Sequence, residues 1–363
     1  MKEFVVLHVG YNSGNKSSGA EVAITKSLSF QQQYCKCALF NLSTKESFEF
    51  SSYSYENFKR IELLPSPFNK PSIVIFHELY RIEFLNIFRQ CKKKGIPYII
   101  IPHGGLTYKA QKQKKLKKTL ANFFLFNHFF KNAKAIQFLS LSEKNNSKSF
   151  GLQETLILGN GIDKPKDLEI EMNGESFKIL FIGRYDIYFK GLDVLLDACK
   201  VCSNFMRSNK IILEMFGIGS NEDESYLKNY VRINKLNDII KINGPIYDED
   251  KIKEYQKADY FIQTSRSEGQ PMGILEALSY GLPIIVTPGT MMAEDTNQMN
   301  LGIVCSLDQD SVSNAIKEAF DRRNDIEIMS RKAKEFISKN FDGDSIAIKT
   351  IDQYKLLDDG GRS

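Results

Sequence analysis

The sequence predicts an α/β protein built as two doubly wound parallel-sheet lobes facing a cleft. Three observations predict it. Short apolar runs of strand composition alternate with helical patterns almost to the end of the chain. The runs are continuously apolar, as strands covered on both faces must be, and not alternating. The alternation breaks once, over the polar and Gly/Pro-containing stretch GNGIDKPKDLEIEMNGES, and then restarts. Strand–helix–strand succession gives right-handed crossovers and a doubly wound sheet, whose ligands bind at the carboxyl ends of the strands.

The strand-like runs of the first half are FVVLHV (4–9), SIVIF (72–76), PYIII (97–101), AIQFL (135–139) and TLILG (155–159). Those of the second half are FKILFIG (177–183), KIILEMFG (210–217), DIIKING (238–244), DYFIQ (259–263), PIIVT (283–287) and GIVC (302–305). Helical patterns lie between, as at 191–203, 222–234 and 273–280. The boundaries read as a first lobe over 1–162, a linker over 163–176, a second lobe over 177–341 and a terminal segment over 342–363, returning to the first lobe. Its end, LLDDGGRS, has the composition of a disordered tail.

Length, 363 residues, suits two domains, and 42% apolar content suits a buried core. No run reaches the eighteen or so apolar residues a membrane helix needs. The opening MKEFVVLHVGYNSG reads as a first strand, not a signal peptide, which points to the cytosol. The six cysteines fit that compartment as free thiols, and the Cys199–Cys202 pair lies on a helical pattern as two buried thiols. The four histidines do not cluster in sequence, so no metal site is readable.

Charge is asymmetric. Residues 1–160 carry a balance of +13 and no Asp, and the remainder carries −8. A basic half joined to an acidic half implies an anionic partner for the first lobe, such as a phosphorylated substrate or a membrane surface. No nucleic-acid module is present, so nucleic acid is set aside.

Two strings carry chemistry. The first runs Ser265-Arg266-Ser267-Glu268-Gly269-Gln270-Pro271-Met272-Gly273-Ile274-Leu275-Glu276, between a strand and a helix. Its glycines let backbone approach a ligand, and the amides at a helix start favour an anion such as a diphosphate. Glu268 on the loop and Glu276 in the first turns of the helix can both serve a polyol, because a carboxylate accepts hydroxyl donors well. The second string, Gly183-Arg184-Tyr185-Asp186-Ile187-Tyr188-Phe189-Lys190-Gly191, also joins a strand to a helix. Arg184 offers a fork and Lys190 a point charge to a diphosphate.

Together these strings resemble family 4 of the retaining glycosyltransferases, which have the two-lobed, Rossmann-like GT-B fold. Glu268 to Glu276 is similar to that family's E-x7-E signature, and Gly183 to Gly191 to its G-R-x-x-x-x-x-K-G companion. Three further stretches are similar to the family: MFGIGSNEDESYLKNYVRINKLNDIIKINGPI, GNGID (159–163) and SSGAE (17–21). The resemblance implies that Arg184 and Lys190 hold a donor diphosphate, that Glu276 binds the nucleotide ribose, and that Glu268 contacts the donor sugar. Backbone amides of Gln270, Pro271, Met272 and Gly273 would assist, and Gly19 would let an amino-terminal loop close over the phosphates. Ser18 stands where the family's first loop glycine would be. The family's "PHG" is matched by Pro102-His103-Gly104, so the resemblance also implies that His103 contacts the donor sugar. His8, His77 and His128 have no such context.

The resemblance further implies a nucleotide-sugar donor, UDP- or GDP-linked, no essential metal and no other cofactor. The acceptor would be a glycan, lipid-diphosphate-linked, held by the first lobe in bacterial surface-polysaccharide (O-antigen or capsule) assembly. Lys109, Lys112, Lys114, Lys115, Lys117 and Lys118 beside Phe123, Phe124, Phe126, Phe129 and Phe130 suit an acceptor site or the anionic inner face of a membrane, which would make the protein peripheral there. Two rivals stay open: a catalytically silent nucleotide-sugar-binding module, and a GT-B-like sugar epimerase whose acid and base residues are not recognisable.

Overall fold

The computed structural model describes residues 3–16, 18–45, 47–112, 120–121, 125–149, 151, 153–164 and 176–359. The chain divides into two compact units, Met1–Gly161 with Phe341–Ser363, and Ile162–Asn340. Each holds one all-parallel sheet, of seven strands in the first and six in the second, the doubly wound class that the sequence predicts. Among the described residues no helix is long and apolar enough to cross a membrane.

The first unit contains β1 (Val5–Gly10), β2 (Lys36–Asn41), β3 (Ser52–Ser54), β4 (Ile73–His77), β5 (Tyr98–Ile101), β6 (Ala135–Phe138) and β7 (Glu154–Ile157). They lie in the order β3-β2-β1-β4-β5-β6-β7. Every residue of β1, β4, β5 and β6 is buried, as a sheet covered on both faces requires. The reading of the sequence does not contain β2 or β3. β2, KCALFN, sits between a polar helix end and a Ser-rich stretch, and only its register against β1, Leu7 opposite Ala38, makes it a strand. The helix Ile82–Lys94 buries Phe84, Leu85, Ile87, Phe88 and Cys91 on one face. Lys92–Lys94 complement its carboxyl-terminal dipole, and Gly95 at φ 65° ends it.

The last helix, Gly343–Asp359, belongs to this unit. Tyr354 is fully buried and donates to Gln137 Oε1 at 2.7 Å. The residues Leu356–Asp359, read as the start of a disordered tail, are the last turn of this helix, because Leu357 packs among the residues that bury Ile24 and Leu28. The final residues 360–363 and most of the 163–176 linker lie outside the described residues.

The second unit contains β8 (Phe177–Ile182), β9 (Ile211–Phe216), β10 (Ile240–Asn243), β11 (Tyr260–Gln263), β12 (Ile284–Val286) and β13 (Gly302–Val304), in the order β10-β9-β8-β11-β12-β13. Its core joins Phe181, Leu195, Met215, Tyr260 and Ile285. Each such side chain contributes about 1.5–3 kcal/mol on full burial. All six cysteines are free, and Cys199 and Cys202 are buried in this core.

Candidate active site

The second sheet changes direction between β8 and β11. From β8 the chain moves outward to β9 and β10, and from β11 it moves the other way to β12 and β13. The loops leaving the carboxyl ends of such a pair have no helix between them, which is where doubly wound sheets bind ligands. Here those loops are residues 183–191 and 264–271, the two strings singled out in the sequence.

The loops are stitched together by backbone. Arg266 N donates to Phe189 O at 2.8 Å, and Thr264 Oγ1 donates to the carbonyls of Lys190 and Gly191, each at 3.1 Å. Gly191 has φ 63°, and a Cβ there would stand 2.1 Å from Thr264 O. Only glycine permits both that backbone and that approach. The Arg266 guanidinium grips Asp193 through two 2.7 Å bonds, donates to Tyr188 O at 2.7 Å and covers the Tyr188 ring at 4.8 Å. Arg266 thus clasps the first loop to the second.

This stitching brings Lys190 to Glu268. Lys190 Nζ donates to Glu268 Oε1 at 2.7 Å, and the side chains are 19% and 16% exposed. The same oxygen accepts from Gln263 Nε2 at 2.9 Å and Ser265 Oγ at 2.6 Å. Three donors therefore converge on one carboxylate oxygen. The other, Oε2, has no partner among the described residues, and a second acceptor position is left for a hydroxyl. An ammonium has three protons, so Lys190 keeps two beyond its bond to Glu268.

The helix Met272–Ser279 starts at this cluster. A Cβ on Gly273 would stand 3.7 Å from Gln263 Oε1 and 3.3 Å from Ile182 O, and a Cβ on Gly183 would stand 3.9 Å from Lys190 Cε. No side chain caps the helix start. Of the backbone amides expected to meet a ligand, Pro271 has none and Met272 N donates to Gln270 O at 3.0 Å. Gly273 N is the first helical amide with no partner among the described residues, and it carries the positive end of the helix dipole.

Glu276 lies in the second turn of that helix. Its Oε2 accepts from Lys251 Nζ, and from Tyr255 OH at 3.4 Å. Burial, and then the Glu276 carboxylate, hold the Tyr255 phenol well above its usual pKa, so it remains a donor. The two glutamates of the string therefore have separate lysines. Arg184 does not join either cluster. Its side chain is 60% exposed and bonds Asp186 at 3.0 Å.

The first unit places its residues as follows. Gly19 is the first residue of the helix Gly19–Gln31, and a Cβ there would meet nothing within 4 Å. Ser18 caps that helix, its Oγ accepting from Glu21 N. Glu21 in turn holds the preceding loop, its Oε2 accepting from Ser13 N at 2.6 Å, Ser13 Oγ at 2.9 Å and Asn15 N at 3.2 Å. Lys109 and Lys112 are exposed on the helix Tyr108–Lys112, whereas Lys114, Lys115, Lys117 and Lys118 lie outside the described residues, as do Phe123 and Phe124. Phe126, Phe129 and Phe130 are core.

His103 follows β5 with φ 46°. Gly104 N, next to it, donates to Glu143 Oε1 at 2.6 Å, and Leu139 N donates to Glu143 Oε2 at 2.7 Å. Histidines that look unrelated along the sequence form a row: His103 Nε2 meets His77 Nδ1 at 3.0 Å, and His77 Nε2 meets His8 Nδ1 at 2.8 Å. The correction follows from topology, since β1, β4 and β5 are consecutive neighbours in the sheet. Sequence reasoning also missed Gln263, Ser265, Lys251 and Tyr255. Ser265 opens the quoted string and Gln263 lies two residues before it, so both could have been taken with Glu268, but nothing in spacing pairs Lys251 with Glu276.

Residues 163–336 match the family described as glycosyl transferases group 1. An uncharacterized glycosyltransferase of Methanocaldococcus jannaschii is 24% identical over 270 residues, 74% of this chain and 70% of that protein. A poly(glycerol-phosphate) alpha-glucosyltransferase of Bacillus subtilis is 26% identical over 231 residues, covering 62% of this chain, which spans about a third (32%) of that relative's length. Among solved structures, the Anabaena protein HepE in complex with UDP-glucose is similar with a TM-score of 0.75 and 15% identity, over 97% of this chain and 99% of that one.

Proposed function

We propose that this chain, a glycosyltransferase with a group 1 second lobe, moves a sugar from a nucleoside-diphosphate donor to a hydroxyl of a glycan acceptor, retaining the anomeric configuration. The observation that carries the reading is the Lys190–Glu268 cluster at the switch point of the second sheet, beside the uncapped start of the helix Met272–Ser279. Phosphate oxygens suit the remaining protons of Lys190 and the Gly273 amide, and a sugar hydroxyl suits Glu268 Oε2. Charge that develops on the departing diphosphate is then met by donors already in place, which lowers the barrier to bond cleavage.

In this reading Lys190, Arg184, Glu268 and His103 do the chemistry, and Gly19, Gln270, Pro271, Met272, Gly273 and Glu276 hold the nucleotide sugar. Arg184, exposed and bonded to Asp186, swings to the diphosphate when it binds. Glu276, held by Lys251 and Tyr255, takes the ribose hydroxyls. The leaving phosphate accepts the proton of the acceptor hydroxyl, so no separate base and no divalent metal are needed. The basic first lobe favours a lipid-diphosphate-linked glycan at the inner membrane face, in surface-polysaccharide assembly. The solved neighbour bound to UDP-glucose supports a uridine nucleotide as the first donor to test.

A thermal-shift screen with UDP, GDP, ADP and their sugars tests the reading, because a true donor stabilises the folded state by mass action. One nucleotide sugar should raise the midpoint and then be consumed when acceptor is added, with EDTA present. If no nucleotide shifts the midpoint and none is consumed, the transferase reading is wrong.

A further inference from the structure

We propose that Gln31, His8 and His77 are positioning residues that fix which nitrogen of His103 carries the proton, so that His103 presents its Nδ1 lone pair to a hydroxyl and turns away an anion. The identity of that hydroxyl, on the donor sugar, rests on the transferase reading. The tautomer does not.

The row crosses three adjacent strands of the first sheet, β1, β4 and β5. Gln31 ends the helix Gly19–Gln31, His8 is inside β1, His77 ends β4, and His103 follows β5. His8 Nε2 meets Gln31 Oε1 at 3.1 Å, and the two further contacts are 2.8 and 3.0 Å. The rings meet edge to edge in near-parallel planes, His8 and His77 with centroids 5.1 Å apart at 23°, and His77 and His103 at 5.3 Å and 26°. Neither His8 nor His77 is exposed at all. Each inner ring can satisfy both nitrogens only through its neighbours.

The polarity of such a row is set at its end. An amide oxygen can only accept, so His8 Nε2 must donate. Burial holds the three rings neutral: it lowers His8 and His103 to about 4 and His77 well below the usual value. A neutral imidazole has one proton. With its proton on Nε2, His8 accepts at Nδ1, and His77 must donate from Nε2. His77 then accepts at Nδ1, and His103 must donate from Nε2. The proton of His103 is thereby committed inward, and its Nδ1 is a lone pair. Nδ1 has no partner among the described residues. A lone pair attracts a hydroxyl proton and repels a phosphate oxygen.

The backbone around His103 is built to hold this arrangement. A non-glycine residue at φ 46° costs of order 1 kcal/mol or more and persists only when neighbours over-determine it. The fully buried Glu143 does so through Gly104 N and Leu139 N. These contacts aim the ring at His77, and the row then assigns its proton.

The test is long-range proton–nitrogen NMR on the full chain with nitrogen-15 histidine, read on wild type and on Gln31→Leu and Gln31→Met, which keep bulk and remove the acceptor. Wild type should show the neutral Nε2-protonated pattern at His8, His77 and His103. In either folded variant His103 should become a mixture of tautomers, and kcat/KM for the donor should fall by the inverse of the fraction that keeps Nδ1 free, about twofold for an even mixture. A wild-type His103 protonated on Nδ1, or a His103 pattern unchanged in both variants, overturns the proposal. If the pattern shifts as expected but no nucleotide sugar binds wild type, the tautomer assignment stands and the transferase reading fails.

Discussion

Lys190 and Glu268, 78 residues apart in the chain, meet at 2.7 Å because the loops that carry them share backbone hydrogen bonds at the switch point of one sheet. The pair is pre-set before any ligand arrives. Glu268 is held by Gln263 and Ser265 as well, so it fixes Lys190 in place and is not merely neutralised by it.

Lys190→Ala is expected to lower kcat by roughly 10²–10³, the cost of removing one preorganised donor to developing charge. The fold should survive, since Glu268 keeps two of its three donors. Arg184→Ala should also abolish most transfer while leaving the thermal midpoint unchanged, because that side chain touches only Asp186 in the described structure. Steady-state kinetics with thermal melts check both, and near-normal turnover in the two variants refutes the diphosphate assignment.

Glu276→Ala should act on binding and not on chemistry. Loss of a charged hydrogen-bond acceptor for ribose hydroxyls costs about 1.5–3 kcal/mol, or a roughly 10- to 100-fold rise in donor KM, with kcat within a few-fold. A fall in kcat at unchanged KM would move Glu276 out of the nucleotide site.

Gly191→Ala is expected to destabilise the second unit by more than about 2 kcal/mol. The new Cβ would meet Thr264 O at 2.1 Å on a backbone at φ 63°, so both a clash and left-handed strain oppose it. Denaturant titration measures the loss. Full stability in this variant would show that the two loops do not depend on that close approach.

The first unit should lose more stability in acid than the second. Between pH 6.5 and about 4 an unfolded His8 or His103 takes a proton that the buried ring refuses, so acidification favours unfolding of the first unit. Each histidine contributes on the order of 3 kcal/mol, fully present above pH 6.5 and lost as pH falls towards 4. His77 acts in the same direction, and Glu143, raised by burial, acts against them. In the second unit burial raises Asp259 to about 6. The folded carboxyl there accepts a proton before the unfolded one, and its contribution favours folding as pH falls from 6 to 4. Calorimetry from pH 7 to 5 should show the first unit's transition moving down further than the second's. Parallel shifts would contradict the burial of the histidine row.

How much was legible follows from where each signal resides. The loop strings at 183–191 and 264–276 are local, because a strand end, a glycine and a helix start must be contiguous to present amides and side chains together. They are therefore visible in one stretch of sequence. The role of Arg266 as a clasp to Asp193 and Tyr188 is not visible, since Tyr188 lies in the other string and Asp193 in the helix that follows it. The pairing of Glu276 with Lys251 is equally silent, because it joins two helices that only the sheet brings side by side.

The sequence by itself determined the α/β class, the restart of the pattern after residue 176 and the two loops that carry charge, because apolar runs and turn residues act through bonded neighbours. Only the tertiary structure decided that KCALFN is a strand, that Leu356–Asp359 is helical, and that His8, His77 and His103 form one hydrogen-bonded row. These depend on partners tens of residues away, and a strand edge or a buried ring acquires its meaning from the neighbour that satisfies its hydrogen bonds.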